Sequence, residues 1–279
     1  MPAPSFSERL RAAQSERRSV VCVGLDPDPA RLPASLRDAY ALPEAVARFN
    51  AAIVDATRAA ACAYKLNLAF YEALGREGWT VLERTLAQIP ETHLTIADGK
   101  RADIGNSARF YARAVFDELG FDACTVAPYM GRDSVLPFLE RPGTAAFVLA
   151  RTSNPGAADF QEACACDGTP LYVRVAERAA AWSAEADGTA GLVAGATDVE
   201  ALATLRARCP SLPFLIPGVG AQGGDAEAVM RAAATDEGLV LVNSSRSIIF
   251  ASAESDFADA AGRAAHALRE TLNAAREAA

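Results

Sequence analysis

A closed (β/α)8 TIM barrel is the α/β fold this sequence predicts, and three observations predict it. Eight short apolar runs recur along 279 residues, and longer amphipathic segments separate them. The length suits one such barrel, and no low-complexity tract, repeat or linker divides the chain. A doubly wound open sheet would leave roughly two or three of these units over. The expected organisation is therefore one barrel domain over residues 1–279, with an N-terminal helix closing its bottom.

That helix is read from Ser5 and Glu8, which stand at capping-box spacing, with Phe6, Leu10 and Ala13 on one face. The apolar runs follow at 20–25, 61–66, 94–97, 123–127, 145–150, 191–194, 214–216 and 239–242. Each is short and continuous, as expected of a strand buried on both faces. Helices are predicted between them. After Pro43 and Glu44, Val46, Phe49, Ile53 and Val54 recur at helical spacing. Over 102–119 the apolar positions are Ile104, Ala108, Tyr111, Ala112, Val115 and Leu119, with Gly120 as a stop signal. Segments 198–207, 225–234 and 256–275 each open near an aspartate that can cap a helix or complement its dipole. Two connections, 27–42 and 152–169, are longer than a barrel needs, and loops after strands are where barrels build active sites.

Composition narrows the class. Hydrophobic residues make up 51% of the chain, enough for a large core. A net charge of −8 argues against sequence-blind binding to nucleic acid or acidic membranes, while leaving room for a local cationic pocket. No apolar run approaches membrane-spanning length. Phe6 to Arg18 is charged and lacks the apolar centre of a signal peptide, so a reducing cytoplasm is the expected compartment. Cys22, Cys62 and Cys124 lie in strand-like runs and read as core residues. Cys164 and Cys166 have the wrong spacing for a zinc knuckle, and the only histidines, His93 and His266, are far from them; no metal is expected.

Charges at strand ends carry the chemistry. Asp98 and Lys100 follow the third run, and strand alternation places Ile96, Asp98 and Lys100 on one face, toward the barrel mouth. Alone, this could be an ordinary exposed strand end. Lys65 changes that, because it interrupts the second run, and a lysine facing a barrel interior is costly unless acids pair with it. Neighbouring strand ends thus present Lys65, Asp98 and Lys100 to one another, with Asp103 just beyond and Asp26 at the end of the first run. Flanking carboxylates favour an ammonium over the neutral amine that Schiff-base chemistry needs. After the seventh run, segment 217–224 is rich in glycine, so backbone N–H groups can approach an anion. Ser245 and Arg246 follow the eighth, and these two loops are the usual phosphate site of a barrel.

Taken together, these motifs resemble the orotidine 5′-monophosphate decarboxylase family, most closely its longer bacterial branch (type 2). The resemblance rests on Asp98-x-Lys100-x-x-Asp103-Ile104, Gly24-Leu25-Asp26-Pro27, Tyr64-Lys65-Leu66-Asn67, Thr152-Ser153-Asn154-Pro155-Gly156, the glycine-rich 217–224 and Ser244-Ser245-Arg246-Ser247-Ile248, in this order over almost the whole chain. It implies cofactor-free conversion of orotidine 5′-monophosphate to uridine 5′-monophosphate and CO2 in de novo pyrimidine synthesis. It implies Lys100 as cation and proton donor, Asp98 beside the departing carboxylate, and Lys65 and Asp103 completing the charged network. Asp26 is implied to bind the ribose, Ser153 the pyrimidine edge, and Gln222, Ser245 and Arg246 the phosphate. The resemblance further implies a homodimer with shared sites, Asp103 and Ser107 reaching in from the neighbouring subunit. Asn154 stands where the shorter branch often has histidine, and Ser245 where it usually has glycine. Two other readings stay open: a Mg2+-dependent sugar-phosphate decarboxylase, against which Lys65 argues, and a barrel that binds phosphorylated ligands without turnover.

Overall fold

The structure, a computed structural model, describes residues 4–219, 225–235 and 239–278. Its strands are β1 (Val21–Gly24), β2 (Ala63–Asn67), β3 (Leu94–Arg101), β4 (Ala123–Val126), β5 (Ala145–Arg151), β6 (Thr189–Ala194), β7 (Phe214–Pro217) and β8 (Val240–Ser244). Each pairs in parallel with the next, and β8 pairs with β1, so the sheet closes. The expected barrel is present, and all eight apolar runs became strands.

Two cores explain why those runs are apolar throughout. Outward side chains such as Val21, Val23, Leu66, Val126 and Val148 pack against the surrounding helices. Inward ones, including Cys22, Ala63, Ile96, Phe147 and Leu241, fill the barrel itself. Phe6, Leu10 and Ala13 of the helix Phe6–Arg17 belong to that inner core, and the Phe6 ring meets Phe147 edge-on with centroids 5.9 Å apart. Ser5 and Glu8 form the predicted capping box. The N-terminal helix therefore does close the barrel, from the end opposite the strand C-termini.

Several details differ from the sequence reading. β3 runs four residues past its apolar segment, to Arg101, so Asp98 and Lys100 lie within the strand. The helix expected over 102–119 starts only at Gly105 and ends in a π-helical turn, Ala114–Glu118. Of its apolar positions Ala108, Ala112 and Val115 are buried, whereas Ile104 and Tyr111 are exposed and belong to a second face. β4 is followed by only the short helix Arg132–Val135 and a 3₁₀ turn, Leu136–Phe138. The helices Arg76–Leu86 and Leu171–Ala184 were not singled out from sequence; the first hides few apolar residues behind Gly78 and Thr85, and the second is rich in alanine. Among the described residues no helix is long and apolar enough to cross a membrane.

Cys22, Cys62 and Cys124 are buried and free, as read, and Cys209 is buried too. Arg206 is buried without a carboxylate among the described residues. Its guanidinium instead donates to the carbonyls of Ala233, Cys209, Pro210, Leu212 and Leu239, tying the helix after β6 to the segments that lead into β7 and β8.

If the N-terminal helix is a structural plug, Phe6→Ala lowers unfolding stability by about 3–5 kcal/mol, the usual cost of emptying a fully buried phenylalanine site. Urea denaturation measures this; a loss below about 1 kcal/mol would show that the inner core closes without it.

Candidate active site

The C-terminal ends of the strands surround a cavity of about 530 Å³. One wall is charged, with Asp26, Lys65, Asp98 and Lys100; the other is apolar, with Leu149, Val193, Leu215 and Pro217. Strand register creates this division. The pairing sets Gly24 beside Lys65 and Asn67 beside Asp98, so polar inward positions follow one another around β1, β2 and β3.

Lys65 is buried and its ammonium lies 2.9 Å from Asp98 Oδ2 and 3.6 Å from Asp26 Oδ1. Lys100 Nζ donates to the other Asp98 oxygen at 2.7 Å. Asp98 thus sits between two cations, and its Oδ1 also accepts from Thr125 Oγ1 at 2.9 Å. Burial alone would push the Asp98 carboxyl up, but the two ammonium groups outweigh it and hold it well below the usual carboxylate range. Burial likewise disfavours charge on Lys65, and Asp26 and Asp98 reverse that, raising its proton affinity above that of a free lysine.

The backbone is bent to achieve this. Pairing between β3 and β4 shifts register between Ala97 and Arg101, and Lys100 adopts φ +45°, a left-handed conformation that costs a side-chain-bearing residue roughly 1–2 kcal/mol. Its N–H is satisfied by Thr125 Oγ1 at 2.9 Å. Strict alternation therefore fails at Lys100, yet its amine folds back onto Asp98. Asp26 is fixed from behind: Leu25 N–H donates to the Lys65 carbonyl at 2.8 Å, and Tyr71 Oη donates to the Leu25 carbonyl at 3.1 Å. Ser245 donates to Asp26 Oδ2 and lies where a side chain on Gly24 would clash with it.

The structure brings together Asp26, Lys65, Asp98, Lys100, Ser153, Ser245 and Arg246 around one cavity. It does not bring in Asp103 or Ser107. Asp103 Oδ1 accepts from the N–H of Ile104 at 2.8 Å and has no contact with either lysine; Ser107 is exposed on the helix Gly105–Arg113. Asp103 was expected to reach a neighbouring copy's site, and within its own chain it stands past the end of β3 at Arg101, away from both lysines. Gln222 lies outside the described residues. Arg246 opens the short helix Arg246–Ile249 at the cavity rim and has no ion pair among the described residues.

Arg151, at the end of β5, is a strut: its guanidinium contacts Glu162 at 2.5 Å and Asp198 at 3.0 Å. Thr125 and Asn243 line the cavity and were missed, since a threonine or asparagine in a strand carries no signal like that of a lysine. The described residues hold no group of three or more His, Cys, Asp or Glu able to bind a metal ion.

A barrel whose mouth pairs lysines and aspartates against an apolar wall defines an enzyme that handles a small anionic, partly apolar ligand at its strand C-termini. A model of the orotidine 5′-phosphate decarboxylase / HUMPS family matches residues 19–261, and the chain belongs to that family. It is 49% identical over 273 residues to the orotidine 5′-phosphate decarboxylase of Herpetosiphon aurantiacus, covering 96% of this chain and 99% of that one. The corresponding enzyme of Roseiflexus castenholzii is 49% identical over 274 residues, covering 97% and 98%. Among solved structures, Leishmania donovani OMP decarboxylase superposes with a TM-score of 0.83 at 37% identity, covering 99% of this chain and 100% of that one.

Because Asp98 separates two ammonium groups, Asp98→Asn is expected to destabilise the fold by about 3 kcal/mol at pH 7, leaving Lys65 buried with one distant partner. The Asp98 carboxyl is depressed in the folded state, so its stabilisation is full above the unfolded value of about 4 and is lost as pH falls toward the folded one. The gap between wild type and variant should therefore narrow in strong acid. Unfolding free energies measured from pH 7 down to pH 3 check this; a gap that widens would contradict it.

Proposed function

We propose that Lys100 is the proton donor in the conversion of orotidine 5′-monophosphate to uridine 5′-monophosphate and CO2. The decarboxylation is the reaction of the family and of relatives matched over nearly their full length, and it serves de novo pyrimidine synthesis. One observation carries the assignment of roles: Asp98 held between Lys65 and Lys100 in the charged wall of the cavity.

Breaking the bond from C6 to the carboxylate leaves an electron pair in the plane of the ring, where the π system cannot spread it. A cation fixed beside C6 is the available stabiliser. Lys65 is buried between two carboxylates that raise its hold on its proton, which suits it to a fixed charge. Lys100 has one partner and is half-exposed to the cavity, so its ammonium can reach the ring and then give C6 a proton. Solvent returns the proton to the amine. Asp98 lies close to the departing carboxylate and keeps both ammonium groups aimed. The apolar wall of Leu149, Val193 and Leu215 suits the ring and excludes water from the developing anion.

Asp26 and Lys65 take the ribose, Ser153 the pyrimidine edge, and Ser245, Arg246 and Gln222 the phosphate. A homodimer supplies Asp103 and Ser107 from the neighbouring copy. Ile104, Phe110 and Tyr111 near those residues, and Tyr129 and Met130 after β4, are large exposed apolar side chains that a second chain would cover. One barrel domain, residues 1–279, holds the rest of each site, and the cytoplasm is its place of action.

Loss of orotidine 5′-monophosphate absorbance is expected with metal-stripped protein in EDTA. A strict requirement for added Mg2+ would overturn the cofactor-free reading in favour of sugar-phosphate chemistry. Lys100→Ala is expected to lower kcat by roughly 10⁴-fold or more, since electrostatic and acid contributions are lost together. Circular dichroism should show the fold intact, and near-normal kcat would refute its role. Arg246→Ala is expected to lower kcat/KM roughly 10- to 100-fold through charged hydrogen bonds to phosphate. An unchanged kcat/KM would contradict that placement.

A further inference from the structure

Asn243 has no part in the assignments above. It stands on β8, two residues before Ser245, and is 6% exposed. It lines the cavity, yet its Oδ1 is buried with no hydrogen-bond partner. A buried amide oxygen left unpaired is costly, and a folded chain rarely keeps one without a use. Replacing Asn243 with an apolar residue would remove that cost, so packing alone does not account for the asparagine.

Its surroundings indicate what it is for. Its Oδ1 lies 3.3 Å from where a Cβ on Gly24 would stand, and Gly24 is paired in register with Lys65. Directly above, Ser245 bonds both the Gly24 carbonyl and Asp26. Asp26 Oδ1 is the other buried cavity oxygen with no hydrogen bond. Asn243 Oδ1 is therefore an unsatisfied polar atom beside Gly24, next to an Asp26 whose Oδ1 has only the Lys65 ammonium 3.6 Å away. A phosphate offers only acceptors and so cannot satisfy Oδ1 as it stands, and the apolar wall suits the base. A sugar hydroxyl both donates and accepts, so it can pair with either end of a carboxamide after a half-turn about its last torsion.

We infer that Asn243 hydrogen-bonds a ribose hydroxyl of the bound nucleotide and helps select ribonucleotides; this rests on the nucleotide reading of the cavity. The test is a binding cycle by calorimetry, with uridine 5′-monophosphate and its 2′-deoxy and 3′-deoxy analogues against wild type, Asn243→Leu and Asn243→Ala. One hydroxyl is expected to be coupled: both variants lose roughly tenfold in affinity for the ribonucleotide and little or none for the analogue lacking that hydroxyl. The thermal midpoint of free Asn243→Leu should be no lower than that of wild type. If both variants weaken all three ligands equally, or none, the inference is overturned. Should Asn243→Leu fold poorly, Asn243→Ala decides by the same cycle. Wild-type protein that turns over orotidine 5′-monophosphate but shows no coupling sinks this inference alone; wild type that binds none of the three ligands sinks the nucleotide reading as well.

Discussion

Two ammonium groups and two carboxylates meet at one barrel mouth, and the buried Lys65 and Asp98 keep their charges because opposite charges stand beside each of them. Lys65 is the most demanding, since its stem enters between β1 and β3 and its charge is buried. Burying an ion costs several kcal/mol unless geometry and hydrogen bonds compensate. Much local structure serves that need. Gly24 leaves room for Ser245 beside Asp26, Tyr71 fixes the turn that carries Asp26, and Thr125 holds both the Asp98 oxygen and the strained backbone of Lys100. The left-handed residue at position 100 is backbone strain held in the charged wall of the cavity.

The barrel supplies a stiff frame for this cluster. Its inner core is filled from below by Phe6, Leu10 and Phe147, so the mouth rests on packed side chains. The paired lysines and aspartates come from β1 to β3, Arg246 from the end of β8, and the apolar side chains from β5 to β7, which divides the cavity by strand order. A ligand with a charged reacting group and an apolar ring fits only one way round in such a cavity. The long loop after β5, which carries Ser153, is anchored by Arg151 through Glu162 and Asp198.

Much of this was legible in the sequence. The eight runs stood out because parallel strands covered on both faces need apolar side chains at every position. Lys65 stood out because a cation broke one of those runs, and Asp98 and Lys100 because they closed another. Asp103 and Ser107 were expected to serve a neighbouring copy's site, a role that came from the resemblance and not from their spacing. Ile104 and Tyr111 fitted a helical period but face outward, because periodicity finds an apolar face without saying what covers it. Thr125 and Asn243 were illegible, as their meaning comes only from what stands opposite. The family resemblance supplied the substrate, which no residue spacing could.

The central claim is that the Lys100 ammonium stabilises an anion at C6, whatever group has left that carbon. The most direct test reverses the last step and follows exchange of the C6 hydrogen of uridine 5′-monophosphate for deuterium in D2O by NMR. The account predicts that wild-type protein speeds this exchange well above the solution rate and that Lys100→Ala does not. Equal exchange by the two proteins would contradict it.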